Sequence, residues 1–570
     1  MSALVGPSRP APALRSVPRV GIFVEVVARS AASRRGATAT EECTLRRFGR
    51  GRNPAWWVVT VLLAIAVPGV VVGMSGSASV HFRSRQSAAP GQAPPGDRPN
   101  IVIIQTDDQN VEQMAAMPHV NDLLGRQGTT YTQYLVSFPL CCPSRATLLT
   151  GMYAHNTGVE GNVRPHGGYT RFRQGETLPV WLSRAGYRTG HIGKFLNVYG
   201  RRDPREIPLG WAEWVTAPFP DEHQYFDYRL NVNGTLVDHG HADSDYIDDV
   251  YTDAALDFVR RHAPEPEPFY LALDYLAPHE GVTHEPGRCG ASARPAPRHV
   301  GTFGSLGLPR PPSFDEADVS DKPAAIRERP TLTPGQVTSI AEDYQCRREA
   351  LLAVDEGIGR LVEELAASGE LDRTFLVFIS DNGYFQGEHR VPLGKTRAYD
   401  VANRVPCIIR GPGVAEGRLL DNPVANIDIA PTMLDAAGAT GEVPVRFALD
   451  GHSLLPQLTG QATDDPSAGP ERGVLLENGY GYPSGPGYRG IRTRRYVYLE
   501  YVTGERELYD LERDPFELDS RHADPAYAGV RAALEPALAA LRGCVGRSCD
   551  VAVEPPEPAP LTHLARRDGR

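Results

Sequence analysis

The sequence predicts an α/β fold: a mostly parallel central sheet sandwiched by helices, with a smaller C-terminal α+β domain carrying an antiparallel sheet. The first observation is the segment 98–106, Arg-Pro-Asn-Ile-Val-Ile-Ile-Gln-Thr, which is apolar on both faces, as a covered parallel strand requires. The second is the alternation of strand-like and helix-like segments that follows it. The third is a change, from about residue 441, to short Tyr- and Val-rich segments such as 495–501.

The alternating segments are assigned by their length and apolar periodicity. Helices are predicted over residues 178–185, 248–262 and 344–367. Strands are predicted over residues 187–192, 268–276 and 374–380. This order of elements favours a sheet covered by helices on both faces.

The N-terminal part predicts export. An uncharged apolar segment of about 20 residues, within 53–74, is long enough to cross a bilayer as one helix. Four arginines precede it, at 46, 47, 50 and 52, which places the N-terminus in the cytoplasm and the rest of the chain outside. The small residues at 76–78 resemble a cleavage site, so the segment is either a membrane anchor, which we favour, or a signal that is removed and leaves a secreted protein.

Changes in composition along the chain divide it into six segments. The predicted organisation is a disordered cytoplasmic tail (1–52), a transmembrane segment (53–74), a linker (75–97), a main domain (98–440), a C-terminal subdomain (441–550) and a disordered tail (551–570). The formal net charge of −10 indicates no nucleic-acid partner.

The eight cysteines contain no Cys-x-x-Cys pair, which argues against a zinc site built on thiolates. Cys544 and Cys549 enclose four residues and are candidates for a short disulfide loop in an exported protein.

Acidic pairs follow two of the predicted strands. Asp107 and Asp108 come after the first strand, and Asp381 and Asn382 come after the strand at 374–380. One such pair is more often a turn or a helix cap, but two pairs at two strand ends favour a metal site. The oxygen-only set of ligands suits Ca²⁺, and Mg²⁺ less well.

Cys141 lies at a predicted helix start, because Pro143 suits the first turn and the following residues continue a helix. A helix N-terminus attracts anions, and Arg145 lies nearby. A buried structural cysteine and a thiolate nucleophile both remain open at this point. A thiol phosphatase is excluded, since it needs an arginine six residues after its cysteine, where this chain has Thr147 or Leu148.

The segment from Cys141 through Pro143, Ser144 and Arg145 to Gly151 resembles the signature of the formylglycine-dependent sulfatases, which have an alkaline-phosphatase-like fold. The resemblance covers roughly residues 98–520, with 98–440 as the catalytic domain. It includes the segments 98–108, 186–194, 276–279, 380–383, 393–395, 404–413 and 426–432. Within the family, segments 193–197 and 312–323 look most like the N-acetylglucosamine-6-sulfatases.

The resemblance implies a chemistry for each matched residue. Asp107, Asp108, Asp381 and Asn382 would hold Ca²⁺, with the modified Cys141 as a further ligand. A formylglycine-generating enzyme would convert Cys141 to formylglycine (3-oxoalanine), whose hydrate attacks sulfur and forms a covalent sulfated enzyme. Arg145 would orient the hydrate, while Lys194, His279 and Lys395 would hold the sulfate oxygens.

One departure concerns the proton donor. Many sulfatases have a histidine two residues after the first lysine, where this chain has Leu196. Asn197 is a candidate replacement, and His279 is the best candidate for the general acid.

Three functions remain open from the sequence. The first is a sulfatase that acts on a sulfated carbohydrate. The second is a phosphodiesterase or phosphonate monoester hydrolase of the same fold. The third is a non-catalytic carbohydrate-binding relative, against which the intact Cys141, Arg145 and four metal residues argue.

Overall fold

A computed structural model of the protein describes residues 98–282, 287–290, 292–461, 471–479 and 486–559. The predicted cytoplasmic tail, transmembrane segment and linker lie outside these residues, so anchoring and export stay predictions. Within the described ranges, no helix combines the length and apolarity needed to span a bilayer.

The strands are, in chain order, β1 (Asn100–Thr106), β2 (Thr129–Tyr131), β3 (Tyr134–Leu135), β4 (Arg188–Gly193), β5 (Glu213–Thr216), β6 (Tyr228–Val232), β7 (Thr235–His239), β8 (Phe269–Asp274), β9 (Thr374–Ser380), β10 (Cys407–Arg410), β11 (Arg418–Leu420), β12 (Val424–Ala425), β13 (Glu471–Asn478), β14 (Tyr488–Arg492), β15 (Tyr496–Tyr501), β16 (Arg506–Asp510) and β17 (Val551–Val553).

The α-helices are α1 (Cys141–Thr150), α2 (Ala154–Thr157), α3 (Leu178–Arg184), α4 (Ile247–His262), α5 (Ala324–Arg327), α6 (Pro334–Ala367), α7 (Asp400–Asn403), α8 (Ile429–Ala436), α9 (Leu455–Leu458) and α10 (Ala528–Leu541).

The central sheet has the strand order β11-β2-β10-β9-β1-β8-β4-β5-β6-β7. The five strands from β9 to β5 in this order are mutually parallel. Antiparallel pairs extend the sheet on both sides, β10 against β9 and β6 against β5. The carboxyl ends of β9, β1, β8 and β4 therefore meet along one edge of the sheet, which is where an open α/β sheet places its site.

The two faces of β1 explain why its sequence is apolar throughout. Ile101 and Ile103 belong to a core with residues of α1, α3 and α8 on one face of the sheet. Val102 and Ile104 belong to a second core with residues of α4 and α6 on the other face. Alternate residues of a strand point to opposite faces, so a sheet covered twice needs apolar residues at every position. The predicted sandwich is confirmed.

The long helix α6 begins ten residues before its predicted start at residue 344. Thr333 caps it, since its side chain accepts a hydrogen bond from the backbone N–H of Gln336, and Pro334 occupies the first turn. The added turns are largely exposed and polar, so apolar periodicity does not reveal them.

The C-terminal region forms the predicted antiparallel sheet, in the order β16-β15-β14-β13-β17. The last strand lies beyond residue 550, where the sequence-based boundary was placed, because Val551–Val553 pairs with the start of β13. The predicted disordered tail is therefore wrong for these residues, and its end, 560–570, lies outside the described part of the chain.

Two disulfides are present among the described residues. Cys544 is bonded to Cys549, as predicted. The second bond joins Cys289 to Cys346 and attaches the loop after β8 to α6. Cys141, Cys142 and Cys407 are free and buried.

Candidate active site

The ends of β1 and β9 bring the predicted metal residues together. The last residues of the two strands are register partners, so Asp107 and Asp108 lie beside Asp381 and Asn382. The backbone N–H of Asp108 donates to the Asp381 Oδ1 atom at 3.0 Å. Asp108 adopts the left-handed region, with φ of 69°, which turns the chain sharply at the strand end.

The neighbouring strands supply Lys194 and His279. Lys194 directly follows β4, and its backbone N–H donates to the carbonyl of Asp274 at the end of β8. His279 lies in the loop after β8. The buried carboxylate of Asp248 accepts hydrogen bonds from the backbone N–H groups at 276 and 277, which holds this loop in place.

Cys141 is the first residue of α1, as the sequence predicted. Leu140 before it is extended, and Gly151 closes the helix in the left-handed conformation. The side chain of Cys141 is 1% exposed. Arg145 follows one helical turn later, on the same face as Cys141.

The guanidinium of Arg145 links the strand ends. It donates to the carboxylates of Asp381 (2.9 Å), Asp107 (3.2 Å) and Asp274 (3.3 Å), and to the carbonyl of Lys194 (2.7 Å). Four contacts to four strand ends, those of β9, β1, β8 and β4, make Arg145 the centre of the buried network. Its side chain is 3% exposed.

The sulfur of Cys141 lies between cations. The Lys395 Nζ atom lies 2.9 Å from the sulfur, the Lys194 Nζ atom 3.7 Å and the Asp107 Oδ1 atom 3.6 Å. Lys194 also forms an ion pair with Asp107, and Lys395 forms one with Asp108. Burial, and then the charge of Asp107, raises the pKa of Cys141 to about 12, so an unmodified Cys141 is a thiol at neutral pH.

The two lysines remain charged although Lys194 is buried and Lys395 is half-buried. Burial alone would lower the pKa of Lys194, but the Asp107 carboxylate outweighs it and raises that pKa above its ordinary value. In the same way Asp108 raises the pKa of Lys395 well above its ordinary value. Both side chains therefore present ammonium groups to the sulfur of Cys141.

The residues present fit a hard divalent cation. Ligand atoms of Asp107, Asp108, Cys141 and His279 all lie within 4.8 Å of one another. The Asn382 Nδ2 atom donates to the Asp108 carboxylate at 2.5 Å, while its Oδ1 atom is buried without a protein partner. A buried amide oxygen without a partner is costly, and a bound cation would satisfy it.

The charges in direct contact are unbalanced. Four carboxylates face three cations, so this cluster carries one net negative charge. The carboxylates are those of Asp107, Asp108, Asp274 and Asp381, and the cations are Arg145, Lys194 and Lys395. A divalent cation would reverse the net charge to one positive, which suits a singly charged anion.

A pocket of about 500 Å³ opens onto the cluster. Its polar lining includes Asn162, Asn197, His223, Glu280 and Tyr384, beside Asp108, His279 and Lys395. A volume of this size suits a small molecule.

Two of the lining residues, Asn197 and His223, lie near the position at which the resemblance predicts a histidine and this chain has Leu196. Leu196 is buried in the core, whereas the next residue, Asn197, lines the pocket with an Oδ1 atom that has no protein partner. The His223 ring stacks on that of His279, with 4.7 Å between centroids.

Sequence reasoning missed two residues for different reasons. Asp274 ends a buried strand, which is the same signal that identified Asp107, but the predicted strand continued to residue 276 and hid it. His223 lies in the connection between β5 and β6, and no local pattern distinguishes it.

Comparison with known proteins identifies the family. The profile described as "Sulfatase" matches residues 99–439. A second profile, "N-sulphoglucosamine sulphohydrolase, C-terminal", matches residues 387–543.

Curated relatives agree with these profiles. An arylsulfatase of Volvox carteri is 34% identical over 495 residues, which cover 79% of this chain and 76% of the relative. An N-acetylglucosamine-6-sulfatase of Capra hircus is 31% identical over 506 residues, covering 80% and 86%. The extracellular sulfatase SULF-1 homolog of Drosophila melanogaster is 34% identical over 370 residues, covering 63% and 31%.

Solved structures share the fold. One, a protein in complex with its substrate D-glucosamine-2-N,6-O-disulfate, matches with a TM-score of 0.65 and 26% identity, over 78% of this chain and 97% of that one. A phosphonate monoester hydrolase from Silicibacter pomeroyi matches with a TM-score of 0.57 and 23% identity, over 76% and 92%.

The orphaned amide oxygen of Asn382 predicts that Asn382→Leu weakens Ca²⁺ binding. Titration calorimetry on chelator-treated protein should give one Ca²⁺ per native chain and at least a roughly tenfold lower affinity for the variant, the loss of about one ligand contact. Added Ca²⁺ should raise the Tm of the native protein, because it removes the net repulsion among the carboxylates. Asn231→Leu, at another buried asparagine, is the control and should keep the native affinity. Native affinity in Asn382→Leu would contradict the site.

Proposed function

Because the chain belongs to the sulfatase family, we propose that it hydrolyses the sulfate ester of a sulfated sugar such as N-acetylglucosamine 6-sulfate, with converted Cys141 as nucleophile and Ca²⁺ as cofactor. Membership of the family makes the protein a sulfuric ester hydrolase. The substrate, the formylglycine and the ion are the proposed part.

The observation that carries the proposal is the position of Cys141. Its sulfur lies at the start of a helix, between the ammonium groups of Lys395 and Lys194, and within 4.8 Å of ligand atoms of Asp107 and Asp108. A structural cysteine has no need of two ammonium groups beside its sulfur. The intact cluster also disfavours a non-catalytic carbohydrate-binding role.

The charge of the site supports a sulfate monoester as substrate. With a divalent cation bound, the contacting groups carry one net positive charge, and a sulfate monoester carries one negative charge. The pocket beside the cluster presents amide, imidazole, carboxyl and phenol groups, which are suitable partners for sugar hydroxyls. The names of the matched N-acetylglucosamine-6-sulfatases point to the same class of sugar.

The chain's own residues divide the chemistry. When present, the hydrated aldehyde at residue 141 supplies the attacking oxygen, and Ca²⁺ supplies positive charge against the sulfate oxygens. Lys194 and Lys395, whose ammonium groups both lie near residue 141, hold the sulfate oxygens. Arg145, fixed by three carboxylates, keeps the catalytic residue oriented.

His279 is placed to protonate the leaving alcohol. Its Nδ1 atom lies 2.7 Å from the carbonyl oxygen of Glu280, which can only accept, so Nδ1 carries a proton. The Nε2 atom consequently faces the cluster, 3.8 Å from the carboxylate of Asp108. Burial, and then the charge of Lys194, lower the pKa of His279 to about 4, so Nε2 carries no proton in the free protein. In the first step Nε2 would therefore accept the proton that the attacking hydroxyl group releases and pass it to the ester oxygen of the leaving alcohol.

The burial of Cys141 also constrains when it can be converted to formylglycine. Cys141 is 1% exposed, so a formylglycine-generating enzyme would have to act on it before the chain folds. Conversion during export agrees with the predicted N-terminal segment and with the extracellular relatives.

Active protein should carry an aldehyde at residue 141. Mass spectrometry of the peptide containing residue 141 should show the aldehyde form, and a hydrazide probe should label it. Cys141→Ala should lose turnover by several orders of magnitude and keep its Tm, because the nucleophile is lost without a large cavity. Cys142→Ala, the neighbouring buried cysteine, is the control and should retain turnover. Fully active protein with an unmodified thiol at residue 141 would exclude the proposed nucleophile.

A sulfate ester should be preferred over phosphate esters. We expect kcat/KM for N-acetylglucosamine 6-sulfate, or for an aryl sulfate, to exceed that for matched phosphate mono- and diesters by roughly a hundredfold, or about 2.7 kcal/mol of transition-state stabilisation. The segments at 276–279 and 394–395 match the sulfatase pattern and support this preference. Faster turnover of a phosphodiester or phosphonate monoester than of every sulfate would favour the second candidate, whose fold this chain shares.

A further inference from the structure

A polar ring, that of His191, lies in an aromatic part of the core. His191 belongs to β4, three residues before Lys194, and is 1% exposed. Its ring stacks on that of Trp214, with 4.4 Å between centroids, and lies edge-to-face against Phe195 and Trp211. A buried imidazole in apolar surroundings is costly unless both of its nitrogens find polar partners.

The ring nitrogens of His191 connect Thr216 to Asp274. The Nδ1 atom lies 2.9 Å from the Oγ1 atom of Thr216, the last residue of β5. The Nε2 atom lies 3.1 Å from the Oδ2 atom of Asp274; this contact is bent, and Nε2 has no other hydrogen-bond partner among the described residues. The other carboxylate oxygen of Asp274 lies 3.3 Å from the Nη1 atom of Arg145. His191 is therefore connected to Arg145 through one carboxylate.

The register of β4 against β8 produces this arrangement. His191 is the partner of Ala272, two residues before Asp274, so the side chains of His191 and Asp274 project from the same face of the sheet. Together with Arg145 they border a cavity of about 20 Å³, which has room for one water molecule. Bulk water does not screen charges in so small a space, so each polar contact here acts strongly on its neighbour.

His191 is neutral at neutral pH. Burial lowers the pKa of His191 below its ordinary value, although the Asp274 carboxylate opposes this. A neutral imidazole carries one proton, and the Thr216 hydroxyl can donate to Nδ1, which places that proton on Nε2. The Nε2–H group then faces the oxygen of Asp274 that Arg145 does not contact.

Asp274 differs from the other two carboxylates that hold Arg145. Asp107 and Asp381 are candidate ligands of the metal ion, which would draw on the same carboxylates. Asp274 is outside the metal set, so its contact with Arg145 would persist when the ion is bound. The orientation of Arg145 in the loaded enzyme would then depend most on Asp274.

We propose that His191 is a positioning residue of the sulfatase reaction, whose Nε2–H group fixes the carboxylate of Asp274, which in turn fixes the guanidinium of Arg145 beside residue 141. The inference rests on the proposed function, because it takes Arg145 as the group that orients the nucleophile. It assigns a role to a histidine that neither contacts the substrate pocket nor belongs to the metal set.

Two substitutions separate the hydrogen bond of His191 from its packing. His191→Phe keeps an aromatic ring and removes the N–H group, whereas His191→Gln removes the ring and keeps an N–H group at a similar distance from the backbone. For an aryl sulfate we expect kcat of His191→Phe to fall at least roughly tenfold with KM within about twofold, because a misplaced Arg145 slows the chemical step without changing the sulfate contacts. His191→Gln should keep kcat within about threefold of the native value. A role in packing alone predicts the opposite order.

A double-mutant cycle tests whether His191 acts through Asp274. Asp274→Asn alone should lower kcat. Adding His191→Phe to it should change kcat by less than about twofold, because the carboxylate that His191 orients is already gone. Losses that multiply in the double variant would show that His191 acts independently of Asp274 and would overturn the proposal.

His262→Phe is the matched control. His262 is also buried, its Nε2 atom also lies next to a carboxylate, that of Glu213, and its ring packs against Phe258. It is the last residue of α4, from which the chain enters β8 at the edge of the sheet opposite to the site. This variant should keep the native kcat. Far-ultraviolet circular dichroism and Tm establish that every variant is folded.

The outcomes separate this inference from the proposed function. If the native protein hydrolyses the sulfate and His191→Phe keeps the native kcat, the positioning role fails alone. If both His191 variants lose kcat equally, the double-mutant cycle decides. If the native protein hydrolyses no sulfate, the proposed function fails, and crystal structures of native and His191→Phe protein grown with Ca²⁺ decide the inference. An Arg145 guanidinium that still contacts Asp274 as in the native protein would overturn it, and loss of that contact in the variant would support it.

Discussion

Burial of several carboxylates at one edge of a parallel sheet is the constraint on which the rest of this molecule depends. The register of β1 against β9 places Asp107 and Asp108 beside Asp381, with less than 2% of each side chain exposed. Ionised carboxylates so close together are tolerated only with compensating cations. The chain provides Arg145 from α1, Lys194 from the end of β4 and Lys395 from the loop after β9.

The three cations do not fully neutralise the carboxylates. The negative charge that remains suits the site to a divalent cation. Asp274 leaves the contacting groups one negative charge in excess, and the amide oxygen of Asn382 has no protein partner. A divalent cation would remove both defects and make the site attractive to an anion. The same lysines that now neutralise carboxylates would then be available to the sulfate group next to residue 141.

Much of the fold could be predicted from the sequence, because its signals are local. The apolar segment that became β1, the strand-helix alternation and the helix start at Cys141 each depend on neighbouring residues. The start of α6 was missed because its first turns are solvated and only the cap at Thr333 marks them. The bond between Cys289 and Cys346 joins residues 57 positions apart, and nothing local to either cysteine specifies the pairing.

The site residues divide in the same way, into those that local sequence predicts and those that it does not. Asp107, Asp108, Asp381 and Asn382 were found because each follows a buried strand, whereas Lys194, His279 and Lys395 were identified through the resemblance to the sulfatases. The family is confirmed, and the roles of these residues stay predictions. The position of His223 depends on how loops pack around the pocket, which residue spacing does not encode.

The most direct test is a crystal structure of the mature protein grown with Ca²⁺ and sulfate, with anomalous scattering to identify the ion. We expect one Ca²⁺ with the Asn382 Oδ1 atom and carboxylate oxygens of Asp107, Asp108 and Asp381 about 2.3–2.6 Å away. Lys194 and Lys395 should contact sulfate oxygens next to an aldehyde or its hydrate at residue 141. A structure with no ion at these oxygens, and with both lysines still bound to Asp107 and Asp108 in the presence of sulfate, would contradict the charge reversal on which the proposed function rests.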